Sequence, residues 1–95
     1  MTVDTTHHID SSEQDDYHYE YHMFRFTEGP LTFIARSDVH SPDEAHFLTR
    51  EEKGKLRSLR REDLDLPLFQ QAVSHLRESG KTSINWLADC GYEPV

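Results

Sequence analysis

Residues 17–39 constrain the fold most. Two runs of strand-forming residues, Tyr17–Phe26 (YHYEYHMFRF) and Leu31–Val39 (LTFIARSDV), flank the short segment Thr27-Glu28-Gly29-Pro30. Tyr, Phe, Ile and Val favour the pleated, half-buried surface of a sheet, and neither run contains Gly or Pro. A two-residue turn centred on Glu28-Gly29 is the expected connection, which sets Phe26 opposite Leu31 and Phe24 opposite Phe33. Because side chains alternate along a strand, Phe24, Phe26, Leu31, Phe33, Ala35 and Val39 then share the core face. Tyr17, Tyr19, Tyr21, Met23 and Ile34 share the other. A one-residue slip would exchange the two faces.

The next segment reads as helical. Ser41-Pro42-Asp43-Glu44 has the form of an N-cap, a proline at the first helical position and a capping-box acid. A helix is expected over 42–53, weakened near Gly54, with Ala45, Leu48, Leu56 and Leu59 near one stripe. A second helix is expected over 67–79. Phe69, Ala72, Val73 and Leu76 recur at i, i+3, i+4 and i+7, and Gly80 suits the position just past the end. Thr82–Leu87 (TSINWL) reads as a short third strand, with a short helix as the competing reading. The expected architecture is α+β, a two-layer ββααβ unit in which the hairpin and third strand pack on two helices. Its expected core is Phe24, Phe26, Leu31, Phe33, Ala35, Leu48, Leu56, Phe69, Val73, Leu76, Ile84 and Trp86.

Charge is unevenly spread. The chain has 95 residues and a formal net charge of −8. Asp4, Asp10, Glu13, Asp15 and Asp16 lie in residues 1–16, which hold no Lys or Arg. With few large aliphatic residues to offset the entropy of ordering, 1–16 are expected to be a disordered acidic tail, and 17–95 a single domain. Between positions 50 and 61, Arg50, Lys53, Lys55, Arg57, Arg60 and Arg61 face only Glu51 and Glu52. On a continuous helix Arg50, Lys53, Arg57 and Arg60 would form one basic stripe, suited to an acidic partner or a phosphate backbone; a solvated helix face is the plainer alternative. The overall acidic balance argues against general nucleic-acid binding, which needs a positive field. One cysteine, Cys90, excludes an internal disulfide. With no apolar leader or span of about 20 apolar residues, a cytoplasmic location is expected.

Few residues carry chemistry. His18, Glu20 and His22 alternate on one strand, so their side chains point the same way and could hold Zn²⁺ or Fe²⁺ if His40 or His46 completed the set. His7 and His8 fall in the expected tail and contribute no geometry there. The structural alternative is simply the polar end of a strand. His75 lies off the apolar stripe of its helix and reads as an exposed residue. Cys90-Gly91 matches no catalytic signature and reads as an inert thiol. Tyr17, Tyr19, Tyr21 and Met23 form an aromatic face of the kind enriched in interfaces.

The expected function is therefore a non-enzymatic protein-interaction or regulatory module. Its partner would be another protein or a second copy of the chain, met through Tyr17, Tyr19, Tyr21 and Met23 or through Arg50, Lys53, Arg57 and Arg60. The alternatives are a metal-binding protein using His18, Glu20 and His22, and an acidic nucleic-acid mimic. No cofactor is implied.

Overall fold

A computed structural model describes residues 1–12 and 17–95, the side chains of Ser12, Tyr17 and His18 excepted. Seven strands form one mixed sheet: β1 (Thr2–Ser12), β2 (Tyr17–Glu28), β3 (Leu31–Asp38), β4 (Glu44–Glu52), β5 (Lys55–Ser58), β6 (Ser83–Ala88) and β7 (Gly91–Pro94). A 3-10 turn, Arg61–Asp65, leads into one α-helix, α1 (Pro67–Glu78). The strand order is β1-β2-β3-β4-β6-β7, with β5 also paired to β4. Every pairing is antiparallel except β4 with β6. This replaces the expected ββααβ fold with two helices.

The hairpin β2–β3 forms, but its turn sits one residue later than expected. Gly29 (φ 58) and Pro30 occupy its centre, so Glu28 pairs with Leu31, Phe26 with Phe33 and Phe24 with Ala35. Gly at the first central position with positive φ, followed by Pro, suits the tight reversal that matches strand twist. Relative to the expectation the register moves by two residues, a full side-chain period, so both faces keep their members.

The helix expected over 42–53 does not exist. Ser41-Pro42-Asp43-Glu44 is a turn, closed by Glu44 N–H donating to the Ser41 carbonyl at 3.0 Å, and it hands the chain from β3 to β4. Ala45 and Phe47 enter the core beside Ala35 and Phe33, a gain in burial that outweighs the helix propensity of the segment. A bulge then falls in β4: Ile34 pairs with Thr49 but Ala35 with Phe47, leaving Leu48 unpaired. The extra residue resets the alternation, so Arg50 lies opposite Phe33 on the helix side of the sheet. Lys53 (φ 52) and Gly54 (φ 80) make the two-residue turn into β5. Leu56, expected in the core, is 63% exposed on that short strand.

Residues 2–12, expected within a disordered tail, form β1 and pair with β2 along their whole length. α1 and β6 match the helix expected at 67–79 and the strand expected at 82–87 within a residue or so. Leu68, Phe69, Ala72, Val73 and Leu76 of α1 are buried against Phe26, Phe33, Ala45, Phe47, Ile84 and Trp86. Phe69 is the hub, 4.4 Å between ring centroids from Phe47 and 5.3 Å from Phe33. Burying each such side chain contributes about 1.5–3 kcal/mol. At the end of α1, Lys81 N–H donates to the Leu76 carbonyl and Gly80 N–H to that of Arg77, with Gly80 at φ 96. That is a Schellman stop. No helix among the described residues is long and apolar enough to cross a membrane.

Candidate functional site

Three surfaces bear on function: a cluster of arginines on Asp63, the sheet face turned away from α1, and the outer edge of β1.

The basic stripe of the sequence is absent as such, because Arg50 and Arg57 sit on paired strands rather than on a helix. They are cross-strand partners on β4 and β5, and both turn onto Asp63. Asp63 is only 2% exposed. It accepts from Arg50 Nη1 at 2.8 Å, from Arg57 Nη1 and Nη2 at 3.1 Å, and from the backbone N–H of Arg60 at 2.8 Å. Burial alone would raise the Asp63 pKa; the hydrogen bonds from Arg57, the Arg60 backbone and Arg50 outweigh it and hold the carboxyl below its ordinary value. Arg50 also pairs with Glu52. Lys53 occupies the β4–β5 turn, and Arg60 is exposed, 3.8 Å from Glu62. Two of the four expected partner-binding cations are thus committed internally. Asp63 is not among the residues that the sequence singles out for function. The overlooked signal was the acidic run Glu62, Asp63 and Asp65 directly after the cations of positions 50–61.

β5 and β6 both pair with the same side of β4 and part near the Leu48 bulge. A shallow cleft of about 670 Å³ opens there, lined by Arg57, Arg60, Arg61, Trp86, Cys90 and Glu93 among others. Arg61 reaches across it to Glu93 at 3.2 Å, with its guanidinium 5.9 Å from the Trp86 ring centroid. Cys90 is exposed, and no hydrogen bond to a base engages it among the described residues.

The aromatic face exists, but among the described residues no helix or terminal segment covers it. Its own long side chains lie over it instead. Arg36 stacks at 4.0 Å on the Tyr21 ring and bonds Asp38; Arg25 bonds Glu51 at 2.9 Å across Ile34, which is buried. Tyr21 donates to Asp10 at 3.0 Å and its ring stacks with His8. That hydrogen bond, with some burial, raises the Tyr21 pKa. Tyr19 is partly exposed beside Arg36, and Met23 is half-buried. The side chain of Tyr17 lies outside the described residues.

Of the proposed metal ligands, Glu20 and His22 sit on the other face, the one that carries Phe24 and Phe26. They point there together, but the side chain of His18 lies outside the described residues. His46 is on the opposite face against Tyr92, and His40 is in the β3–β4 turn, so neither joins them. The neighbour is His7, which the sequence reading had set aside: it pairs with His22 across β1–β2 and lies 3.3 Å from Glu20. Among the described residues no three His, Cys, Asp or Glu side chains converge so as to hold a metal ion. His75 packs its ring on Phe26 at 5.7 Å and is half-buried rather than exposed.

The edges of the sheet differ sharply. β5 and β7 have four residues each; β5 carries Lys55 and Arg57, and β7 ends in Pro94. Shortness, cations and proline are the usual protections against unwanted pairing. β1 runs for 11 residues with no Lys, Arg or Pro and an unbroken register to β2. Ile9 is 56% exposed on it.

No known family model matches this chain, and neither a curated protein nor a solved structure is significantly similar to it.

Proposed function

We propose that this protein is a non-enzymatic interaction module that takes up another chain by strand addition at β1. The carrying observation is the asymmetry of the edges: the short ones are protected and the long one is open. Strand addition uses the free backbone groups of an edge for affinity and the alternating side chains for choice of partner. The row Tyr19, Tyr21, Met23 lies on β2, directly behind that edge, and shares its face with Asp4, Thr6, His8 and Asp10 of β1. An incoming strand would thus meet a first row of small and polar groups backed by aromatic ones. Net charge −8 favours a protein partner over nucleic acid. A lone exposed thiol suits the reducing cytoplasm as the place of action.

A photo-crosslinking side chain placed at Thr5, in cells that make the protein, tests the reading. Discrete protein adducts at position 5, absent from the same group at Leu56 on β5, support it. Equal labelling at both positions, or none at position 5, refutes it.

A further inference from the structure

The geometry points to a second copy of this chain as the strand that pairs with β1, antiparallel, with the two-fold axis at Thr6. This rests on β1 being the interaction edge, and adds the partner and the register.

The backbone decides which residues can pair. The Glu20 carbonyl accepts from Val39 N–H at 3.0 Å, so even-numbered residues of β2 direct their backbone groups toward β3 and odd-numbered ones toward β1. In an antiparallel ladder, directly paired residues aim at each other together. Met23 pairs with Thr6 and Tyr21 with His8, so the even-numbered residues of β1 point inward. Val3, Thr5, His7, Ile9 and Ser11 therefore present their N–H and C=O groups outward.

A two-fold mate must match outward residues with outward residues, so the two numbers in each pair sum to an even value. Centring on His7 sets Asp4 against Asp10 of the mate, like charges face to face. Centring on His8 leaves Val3 without a partner, and centring on Thr5 sets Ile9 only against Met1, outside the strand, Val3 against His7 and no carboxylate against an imidazole. Centring on Thr6 sets Val3 beside Ile9, Asp4 beside His8, Thr5 beside His7, Thr2 beside Asp10 and Thr6 beside its own copy. Only this register gives both Val3 and Ile9 an apolar partner while also setting carboxylate against imidazole; centring on Ile9 pairs it with its own copy and His8 with Asp10, but shortens the ladder to residues 6–12 and leaves Val3 unpaired. Cross-strand pairs of these kinds stabilise a sheet, and like charges opposed destabilise it. Roughly eight backbone hydrogen bonds form along residues 3–9 of the two copies. Val3 and Ile9 share the helix side of the sheet, so the pairing covers the exposed Ile9 with a valine of the mate.

The test uses the full chain and sedimentation equilibrium. Wild type is expected to dimerise. Asp4→Arg alone sets Arg beside His8, and His8→Asp alone sets Asp beside Asp4; each fault occurs twice per dimer, so each weakens dimerisation about tenfold. Mixing the two variants restores Arg–Asp and Asp–His pairs, so the mixed dimer forms in preference to either homodimer. In a Cys90→Ser background, Thr6→Cys is expected to oxidise to a disulfide-linked dimer, because directly opposed residues lie within bridging distance. Thr5→Cys, displaced by two residues from its own copy, is not.

A dimer that ignores both charge variants and gives no Thr6→Cys crosslink overturns the inference. So does a monomer at the highest soluble concentration. In that second case, adducts to a foreign protein at position 5 would leave strand addition standing with another partner. Their absence would remove both readings.

Discussion

Asp63→Asn is the substitution whose cost the structure specifies best. The side chain keeps its shape and loses its charge, leaving Arg50 and Arg57 facing a neutral amide. Arg50 is 12% exposed and loses a charge-assisted bond of about 1.5–3 kcal/mol. Arg57 is a third exposed, so solvent replaces much of what it loses, and about 1 kcal/mol is a fair share. The Arg60 N–H keeps an acceptor if the amide oxygen faces it. The sum is about 3 kcal/mol, within the usual cost of breaking a buried ion pair. At roughly 4–8 °C per kcal/mol for a domain of this size, the melting temperature should fall by about 15 °C. Thermal and guanidinium melts followed by circular dichroism measure it. Arg60→Ala is the control: only its backbone touches Asp63, so it should stay within about 0.5 kcal/mol of wild type. The acid limb adds a second reading. A carboxylate whose pKa is lowered by folding contributes stability that is full above its unfolded value of 3.8 and is lost as pH falls through the lower folded value. The gap between wild type and Asp63→Asn should therefore narrow below about pH 4. A cost under about 1 kcal/mol at pH 7, or an equal cost from Arg60→Ala, would refute the reasoning.

Three further outcomes are expected. Phe69→Ala removes the ring between Phe33 and Phe47 and should cost about 3–5 kcal/mol in a denaturant melt, whereas Leu56→Ala should cost little. Asp10→Asn replaces the charged acceptor that raises the Tyr21 pKa with a neutral one, so NMR titration of the Tyr21 ring should show ionisation at lower pH than in wild type. Zn²⁺ or Ni²⁺ should not bind at micromolar concentration through His7, Glu20 and His22, because among the described residues no three His, Cys, Asp or Glu side chains are placed to share an ion. Calorimetry showing tight binding that is lost with His18→Ala and His22→Ala would reverse that expectation.

The errors in reading the sequence share one origin. Ser41-Pro42-Asp43-Glu44 satisfies the rules for a helix start and equally those for a turn, since Ser, Pro and Asp favour both. The segment after it, EAHFLTREE, is rich in helix formers, and only the neighbouring β3 shows that Ala45 and Phe47 gain more by lying beside Ala35 and Phe33. The same holds for Thr2–Ser12. Its polarity alone says tail, yet the ladder to β2 satisfies its backbone, and Val3 packs against the core.

Local chemistry determined what short range can determine. Aromatic alternation on either side of Gly29-Pro30 specified a hairpin and the membership of its two faces, and survived a shifted turn because a two-residue move is a full period. The apolar stripe and the trailing Gly80 specified α1. The tertiary structure decided the rest. The Leu48 bulge, which turns Arg50 toward Asp63, depends on how β4 meets β3. The openness of β1 depends on its place at the end of the sheet order. Neither is a property of any local window, because a strand's partners, and so its free edge, are set by residues distant in the chain.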